Sequence, residues 1–138
     1  MSTGNSGVAL AKKLGMDKAE RRGVVNPPIN YDELIGFTIP RESTIRFGEY
    51  STGVLHYFCT EVEALQHDFP LLKDSIFPDG ALWISWPKKS GGFATNLSES
   101  IIRELGLATG LVDTKVCAVD EIWSGLKFVF RRENRKIL

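Results

Sequence analysis

The sequence has little of what metal-binding, disulfide-stabilised or membrane proteins depend on. Its 138 residues include two cysteines and two histidines, there is no Cys-x-x-Cys pair, and His56 and His67 lack the spacing of metal ligands. No apolar run approaches the roughly eighteen residues that span a bilayer, and the polar segment 1–7 lacks the apolar core of a secretion signal. We therefore expect a cytoplasmic protein without a metal site or membrane contact, with residues 1–7 as a flexible tail and 8–138 as one domain.

The sequence also has no excess charge of one sign, since it contains 17 basic and 17 acidic side chains. The two signs are unevenly placed: residues 1–22 hold five basic and two acidic side chains, residues 127–138 hold five and one, and the middle holds seven and fourteen. An acidic body with basic ends does not favour nucleic acid unless both ends lie on one face. We therefore do not expect nucleic acid as a partner.

The segment 71–87, LLKDSIFPDGALWISWP, indicates the fold class. It contains the end of a helix, a Pro-Asp-Gly turn, and an apolar strand over 81–86 that stops at Pro87. Because this strand has no polar alternation, both of its faces must be covered, as in a central strand of a parallel sheet. The segment therefore predicts an α/β fold.

Strands and helices alternate along the rest of the chain. Further strands are predicted over 23–26, 43–47, 53–59, 112–119 and 126–131. Helices are predicted over 8–14 and 31–35 and after the caps Thr60 and Asn96, with Pro70 kinking or dividing the third. The connection 120–125 is too short for a crossover helix, so the last strand runs antiparallel. This pattern predicts a Rossmann-like, mostly parallel sheet with helices on both faces and a C-terminal antiparallel hairpin strand, with an α+β sandwich as the alternative.

The order of helix, Pro-Asp-Gly turn, apolar strand, Trp-Pro, helix and strand hairpin resembles the C-terminal half of class I S-adenosylmethionine-dependent methyltransferases. The chain also resembles a small bacterial family to which no activity is assigned, in LAKKLGM (10–16), FPDGALWISWPKK (77–89) and GLVDTKVCAVDEIWSGLKFVFRR (110–132). The first resemblance implies a Rossmann-like fold, and the second implies no particular chemistry.

The sequence departs from the methyltransferase pattern where the cofactor would bind. In that class the first strand ends in a glycine-rich turn that lets backbone amides approach the cofactor. Here the turn is Asn26-Pro27-Pro28-Ile29-Asn30, and its two prolines have no amide hydrogen. In that class an acidic residue at the end of the second strand holds the ribose hydroxyls. Here Glu49 is the acidic residue near that position.

These departures favour a domain without a cofactor that acts as a non-catalytic binding or regulatory protein. One alternative is a divergent methyltransferase-like enzyme that uses Glu49 and the Lys88–Lys89 loop. Another is a protein–protein interaction module. An exposed edge strand could also pair two copies, so a homo-oligomer is included among the expectations.

Ligands of an open parallel sheet bind beyond the carboxyl ends of its strands. The predicted strand ends place the following residues around a ligand crevice: Asn26, Pro27, Pro28, Glu49, Tyr50, Thr60, Trp86, Pro87, Lys88, Lys89 and Ser90. The two lysines, followed by Ser-Gly-Gly, favour a small anionic ligand. The order of these residues is not that of a Walker loop, and a solvated loop is the alternative.

The connection 120–125 is an unusual hairpin turn. Asp120, Glu121 and Trp123 are predicted to form a recognition loop for a protein partner, and the alternative is a turn with Trp123 packed on the sheet. Trp83 and Trp86 are three residues apart and should point to opposite faces. Ser85 lies in no Gly-x-Ser-x-Gly motif, so acyl transfer is not expected.

Overall fold

Five strands form one open sheet in the computed structural model, which describes residues 4–41 and 45–135. The strands are β1 (Arg22–Val25), β2 (Thr52–Phe58), β3 (Ile76–Pro87), β4 (Leu111–Ala118) and β5 (Trp123–Phe130). Their order in the sheet is β1-β2-β3-β5-β4, with β1, β2 and β3 parallel and β5 antiparallel to both of its neighbours. The predicted α/β fold, with its mostly parallel sheet and C-terminal antiparallel hairpin, is confirmed.

Helices cover both faces of the sheet, as predicted. They are α1 (Gly4–Leu14), α2 (Tyr31–Ile35), α3 (Val62–Lys73) and α4 (Glu99–Ala108). Apolar side chains of α1 and α2 share one core with Trp83, and those of α3 and α4 share the other with Leu82 and Ile84. α1 begins at Gly4 and not at residue 8, so residues 4–7 are helical where a tail was predicted, and residues 1–3 lie outside the described chain.

The apolar strand β3 lies in the middle of the sheet, between β2 and β5. Trp83 and Trp86 belong to the two different cores, which confirms that they point to opposite faces. The predicted Pro-Asp-Gly turn lies inside β3 as a bulge, because the register passes from Thr52 opposite Ile76 to Val54 opposite Ala81. A Cβ on Gly80 would lie 2.7 Å from the Gly53 carbonyl oxygen, so the bulge requires glycine there.

The predicted strand over 43–47 is wrong for its described part. Ile45 and Arg46 have no strand partner, and Phe47 and Gly48 form a turn; residues 43 and 44 lie outside the described chain. The Gly48 amide donates to Ser75 Oγ at 2.9 Å, which ties this segment to the end of α3. β1 therefore lies at the margin of the sheet, paired outward only by a bridge between Val24 and Arg41 among the described residues.

Two helix starts differ from the sequence prediction. α3 begins after Glu61 and not after Thr60, and its first amide, that of Val62, donates to Asn96 Oδ1 at 2.8 Å. Asn96 thus caps α3, while Ser98 Oγ caps α4 by accepting from the Ile101 amide at 3.3 Å. α3 continues through Pro70 as one helix and is not divided there.

Candidate functional site

A crevice opens at the carboxyl ends of β1 and β2, where the sheet meets α3. It consists of two cavities of about 310 Å³ each, which share Asn26, Tyr57 and Asp68 in their walls. One cavity is lined further by Phe58, Cys59, Thr60, Glu61, Ala64 and Trp123, and the other by Val25, Phe47, Leu71 and Leu72. Of the residues predicted to form the crevice, Asn26 and Thr60 line it.

A tyrosine–aspartate pair fixes the wall between β2 and α3. The Tyr57 hydroxyl donates to Asp68 Oδ2 at 2.6 Å, and His67 Nδ1 lies 3.0 Å from Asp68 Oδ1. Burial raises the pKa of Tyr57, and the hydrogen bond to Asp68 raises it further. The tyrosine is therefore a neutral donor, and it holds the Asp68 carboxyl group in place at the crevice wall.

The turn after β1 begins with a residue in a strained conformation. Asn26 has φ of 55°, in the left-handed region that asparagine tolerates better than most residues. Pro27 and Pro28 follow, both half-buried, and the Pro28 carbonyl accepts the Tyr31 amide at 3.0 Å. Two of the five residues 26–30 therefore offer no amide donor to a ligand, and the first amide of α2 is already used.

Glu49 and Tyr50 lie just before the amino end of β2, at the opposite end of the strand from the crevice, so their predicted place in the crevice is wrong. The Tyr50 amide donates to the Asp74 carbonyl at 2.9 Å. The reason is that the predicted strand over 43–47, which would have carried Glu49 to a carboxyl end, does not form in its described part.

The segment 86–90 also lines neither cavity of the crevice. Trp86 is buried in the core beneath α3 and α4, and Pro87 ends β3. Lys88 Nζ donates to the Asp120 carbonyl at 2.7 Å, which holds this loop against the β4–β5 hairpin. Lys89 and Ser90 lie in a short 3-10 turn, and Lys89 is exposed.

The predicted recognition loop is a turn held by hydrogen bonds between the Asp120 side chain and backbone amides. Asp120 Oδ1 accepts hydrogen bonds from the amides of Ile122 at 2.9 Å and Trp123 at 2.8 Å. Trp123 is buried, with its ring 5.0 Å from Phe58 and 5.8 Å from Phe93 between centroids. Glu121 is exposed. Trp123 thus packs down on the sheet and joins the crevice wall.

Sequence reasoning missed Tyr57, Cys59 and Asp68. The one available signal was alternation in β2, which places Tyr57 on the same face as the predicted third helix. Burial raises the pKa of the Cys59 thiol to about 12, with a smaller contribution from Asp68, so this cysteine is a poor nucleophile.

A second polar cluster is buried within the sheet. His56 Nδ1 lies 2.9 Å from the Tyr31 hydroxyl, and His56 Nε2 lies 2.7 Å from Ser85 Oγ. All three side chains are fully buried, so no ligand in the crevice contacts them. Burial lowers the pKa of His56 to about 3, and the imidazole is therefore neutral. This cluster is structural.

No three histidine, cysteine, aspartate or glutamate side chains of the described residues are grouped as a metal site would need. No helix in residues 4–41 and 45–135 is long and apolar enough to cross a membrane.

The open mixed sheet with helices on both faces is a Rossmann-like fold similar to that of solved S-adenosylmethionine-dependent methyltransferases. The magnesium protoporphyrin IX methyltransferase of Synechocystis, solved with bound S-adenosylhomocysteine, aligns over 92% of this chain and 82% of its own, at 9% identity and a TM-score of 0.63. A TehB-like methyltransferase from Corynebacterium glutamicum aligns over 91% and 88%, at 9% identity and a TM-score of 0.56.

A protein from Sulfolobus solfataricus that is described as a type 11 methyltransferase aligns over 91% of this chain and 79% of its own, at 14% identity and a TM-score of 0.51. At such identities the likeness concerns the fold alone. No family model and no curated protein matches the sequence. The resemblance to a bacterial family without assigned activity therefore stays a prediction.

The residues after β1 do not fit the way in which the methyltransferase pattern holds its cofactor. Pro27 and Pro28 stand where the glycine-rich turn would be, and Asn26, which precedes them, has a left-handed backbone conformation. Among the described residues between β1 and β2 there is no strand that could carry an acidic residue to the carboxyl edge.

Proposed function

We propose that the protein is a non-catalytic binding or regulatory domain whose crevice takes a small ligand with a positive charge, such as an amine or a guanidinium. The observation that supports this most is the charge of the lining. Glu61 and Asp68 contribute carboxyl groups, while no lysine or arginine of the described chain lines either cavity. An anionic ligand, which the sequence favoured, would meet like charge here.

The geometry of the wall suits a cation. Asp68 is held in one orientation by the Tyr57 hydroxyl, so a ligand meets an acceptor that is already positioned. Trp123 brings an indole ring to the same cavity, and such rings attract ammonium and guanidinium groups. Asn26 and Thr60 add polar groups at the mouth.

The absence of catalysis is proposed from the state of three side chains in or behind the crevice wall, a thiol, a phenol and an imidazole. The Cys59 thiol has a raised pKa, the Tyr57 hydroxyl is engaged by Asp68, and His56 is enclosed in the sheet. None of these groups is prepared to act as a nucleophile or a general base.

Titration with agmatine, which carries one ammonium and one guanidinium group, tests the proposal. In two-dimensional amide NMR we expect saturable shifts at Asn26, Thr60 and Glu61. The variant Asp68→Asn keeps an acceptor for Tyr57 but removes the charge, and we expect about tenfold weaker binding, since hydrogen bonds to charged groups are the strong ones. Glu104→Gln, on an exposed position of α4, should bind as the parent does. Equal affinity in Asp68→Asn, or no saturable shift in the parent, would remove the cation site.

A divergent methyltransferase is the second candidate function, and the likeness of the fold to solved methyltransferases favours it. This candidate requires S-adenosylmethionine and S-adenosylhomocysteine to bind in the crevice, against which Pro27 and Pro28 after β1 speak. An interaction module presenting Trp123 has less support, because that side chain is buried. A cytoplasmic location and self-association through an edge strand stay predictions.

A further inference from the structure

A groove of about 390 Å³ lies near the amino end of β3 and the carboxyl end of β5, whereas the crevice lies at the carboxyl ends of β1 and β2. It is lined by Asp79, Gly80, Thr114, Lys115, Lys127, Val129 and Arg135. These residues belong to β3, β4, β5 and the segment after β5, and none belongs to α1–α4. The groove is therefore built on a part of the sheet face that the described helices leave open.

Two lysines face each other across the strands that form this groove. Lys115 of β4 pairs directly with Lys127 of β5, and Lys127 in turn pairs with Trp83 of β3. Directly opposite residues point to the same face, with Cβ atoms about 5 Å apart. Both lysines thus lie on the α1/α2 face, beyond the area that α1 covers around Trp83.

These two charges have no described counter-charge in contact. Of the ion pairs within 4.0 Å in residues 4–41 and 45–135, none includes Lys115, Lys127 or Asp79. Like charges directly opposite each other destabilise a sheet. Burial lowers the pKa of Lys127, and the charge of Lys115 lowers it further. An anion placed between the two ammonium groups would remove this repulsion.

Further cations lie around the pair. Arg135 lines the groove, with its Nε donating to the Phe130 carbonyl at 2.9 Å, which orients the guanidinium group. Lys13 lies in the last turn of α1, near Cys117 of β4. Burial raises the pKa of the Cys117 thiol, and the charges of Lys13 and Lys115 both act to lower it. Basic residues from the two ends of the chain therefore converge on one face.

We propose that this groove binds a small phosphorylated molecule that also carries hydroxyl groups, such as a sugar phosphate. Lys115, Lys127 and Arg135 hold the phosphate, while the Asp79 carboxyl group and the Thr114 hydroxyl bind the hydroxyl groups of the ligand. A nucleic acid fits this lining less well, because no aromatic side chain of the described residues lines the groove for base stacking. This site is independent of the crevice and of the function proposed for it.

Amide NMR titration with ribose 5-phosphate tests the proposal, with ribose and inorganic phosphate as partial ligands. We expect saturable shifts at Thr114, Lys115 and Val129 with ribose 5-phosphate, weaker ones with phosphate, and none with ribose. Lys115→Ala and Lys127→Ala should each weaken ribose 5-phosphate binding about tenfold. Lys89→Ala removes an exposed lysine that follows the carboxyl end of β3, away from the groove, and should leave the affinity unchanged. Spectral dispersion reports whether each variant is folded.

Asp79→Asn separates the role of the carboxyl group from that of the cations. Because it removes a negative charge from the groove, this variant should bind inorganic phosphate more tightly and lose part of the preference for ribose 5-phosphate over phosphate. Absence of saturable shifts up to about 10 mM ligand, or equal losses in Lys89→Ala and Lys127→Ala, would overturn the proposal. Binding of single-stranded RNA that strengthens with its length at these residues, with no response to ribose 5-phosphate, would replace it with a nucleic-acid site.

Discussion

Replacing Gly106 by alanine is expected to destabilise the protein by about 1–3 kcal/mol, which is the usual cost of overpacking a core. The sign is opposite to that at an ordinary helix position, where alanine is favoured over glycine by up to about 1 kcal/mol. Gly106 lies inside α4, and a Cβ there would lie 2.5 Å from Phe128 Cζ and 2.7 Å from its Cδ1. The ring cannot move aside, because it is fully buried and packs edge-on against Phe69 at 5.3 Å between centroids.

Urea unfolding of the parent and variants measures this effect. Glu104→Ala, at an exposed position of the same helix, should change the free energy of unfolding by less than about 0.5 kcal/mol. In the background of Phe128→Leu, which shortens the opposing side chain, Gly106→Ala should cost less than it does in the parent. A variant Gly106→Ala that equals or exceeds the parent in stability would contradict the close approach of α4 to β5.

Acidification is expected to lower the free energy of unfolding steeply below about pH 6.5, because of His56. Burial lowers its pKa to about 3 in the folded protein, whereas an unfolded histidine titrates near 6.5. Between these values the unfolded chain binds a proton that the folded chain does not, so stability rises with pH, by up to about 1.4 kcal/mol per unit. The contribution is complete above pH 6.5 and is lost as the pH falls toward 3.

Unfolding curves at several pH values between 4 and 7 give the slope. His56→Gln retains hydrogen-bonding groups for Tyr31 and Ser85 but does not titrate, so it should be less stable at pH 7 and show a shallower pH dependence. His67→Gln removes a histidine whose side chain is 89% exposed and should keep the slope of the parent. An identical slope in the parent and His56→Gln would show that His56 is not the group responsible.

The parts of the fold that the sequence predicts are those decided by local pattern. The run 81–86, apolar except for Ser85, favours an enclosed strand, and the six residues 120–125 are too few for a crossover helix and so favour an antiparallel pair. The strand predicted over 43–47 does not form in residues 45–47, the part that the structure describes, where a tertiary contact from the Gly48 amide to Ser75 competes with strand pairing. Asn96 has the right residue type for a cap, but it caps a helix that begins 34 residues earlier.

The two candidate sites depend on contacts that no local pattern contains. Asn26, Thr60 and Trp123 were singled out, but the Tyr57–Asp68 pair arises only when α3 packs against β2. Lys115 faces Lys127 only because a bulge between Asp113 and Lys115 sets the register of the hairpin. The predicted anion site at Lys88–Lys89 failed to join the crevice because Lys88 is bound to the Asp120 carbonyl. Side-chain charge could be read from the sequence, but not the edge of the sheet at which each charge lies.

Amide NMR titration with S-adenosylhomocysteine tests the central claim most directly, because it reports binding and location together. Pro27 and Pro28, and the absence of a strand between β1 and β2 among the described residues, lead us to expect no saturable shift at Asn26, Ile29 or Thr60. The conditions are those in which agmatine shifts the crevice amides. Saturable shifts of these amides by S-adenosylhomocysteine would contradict the account and identify the crevice as a methyltransferase cofactor site.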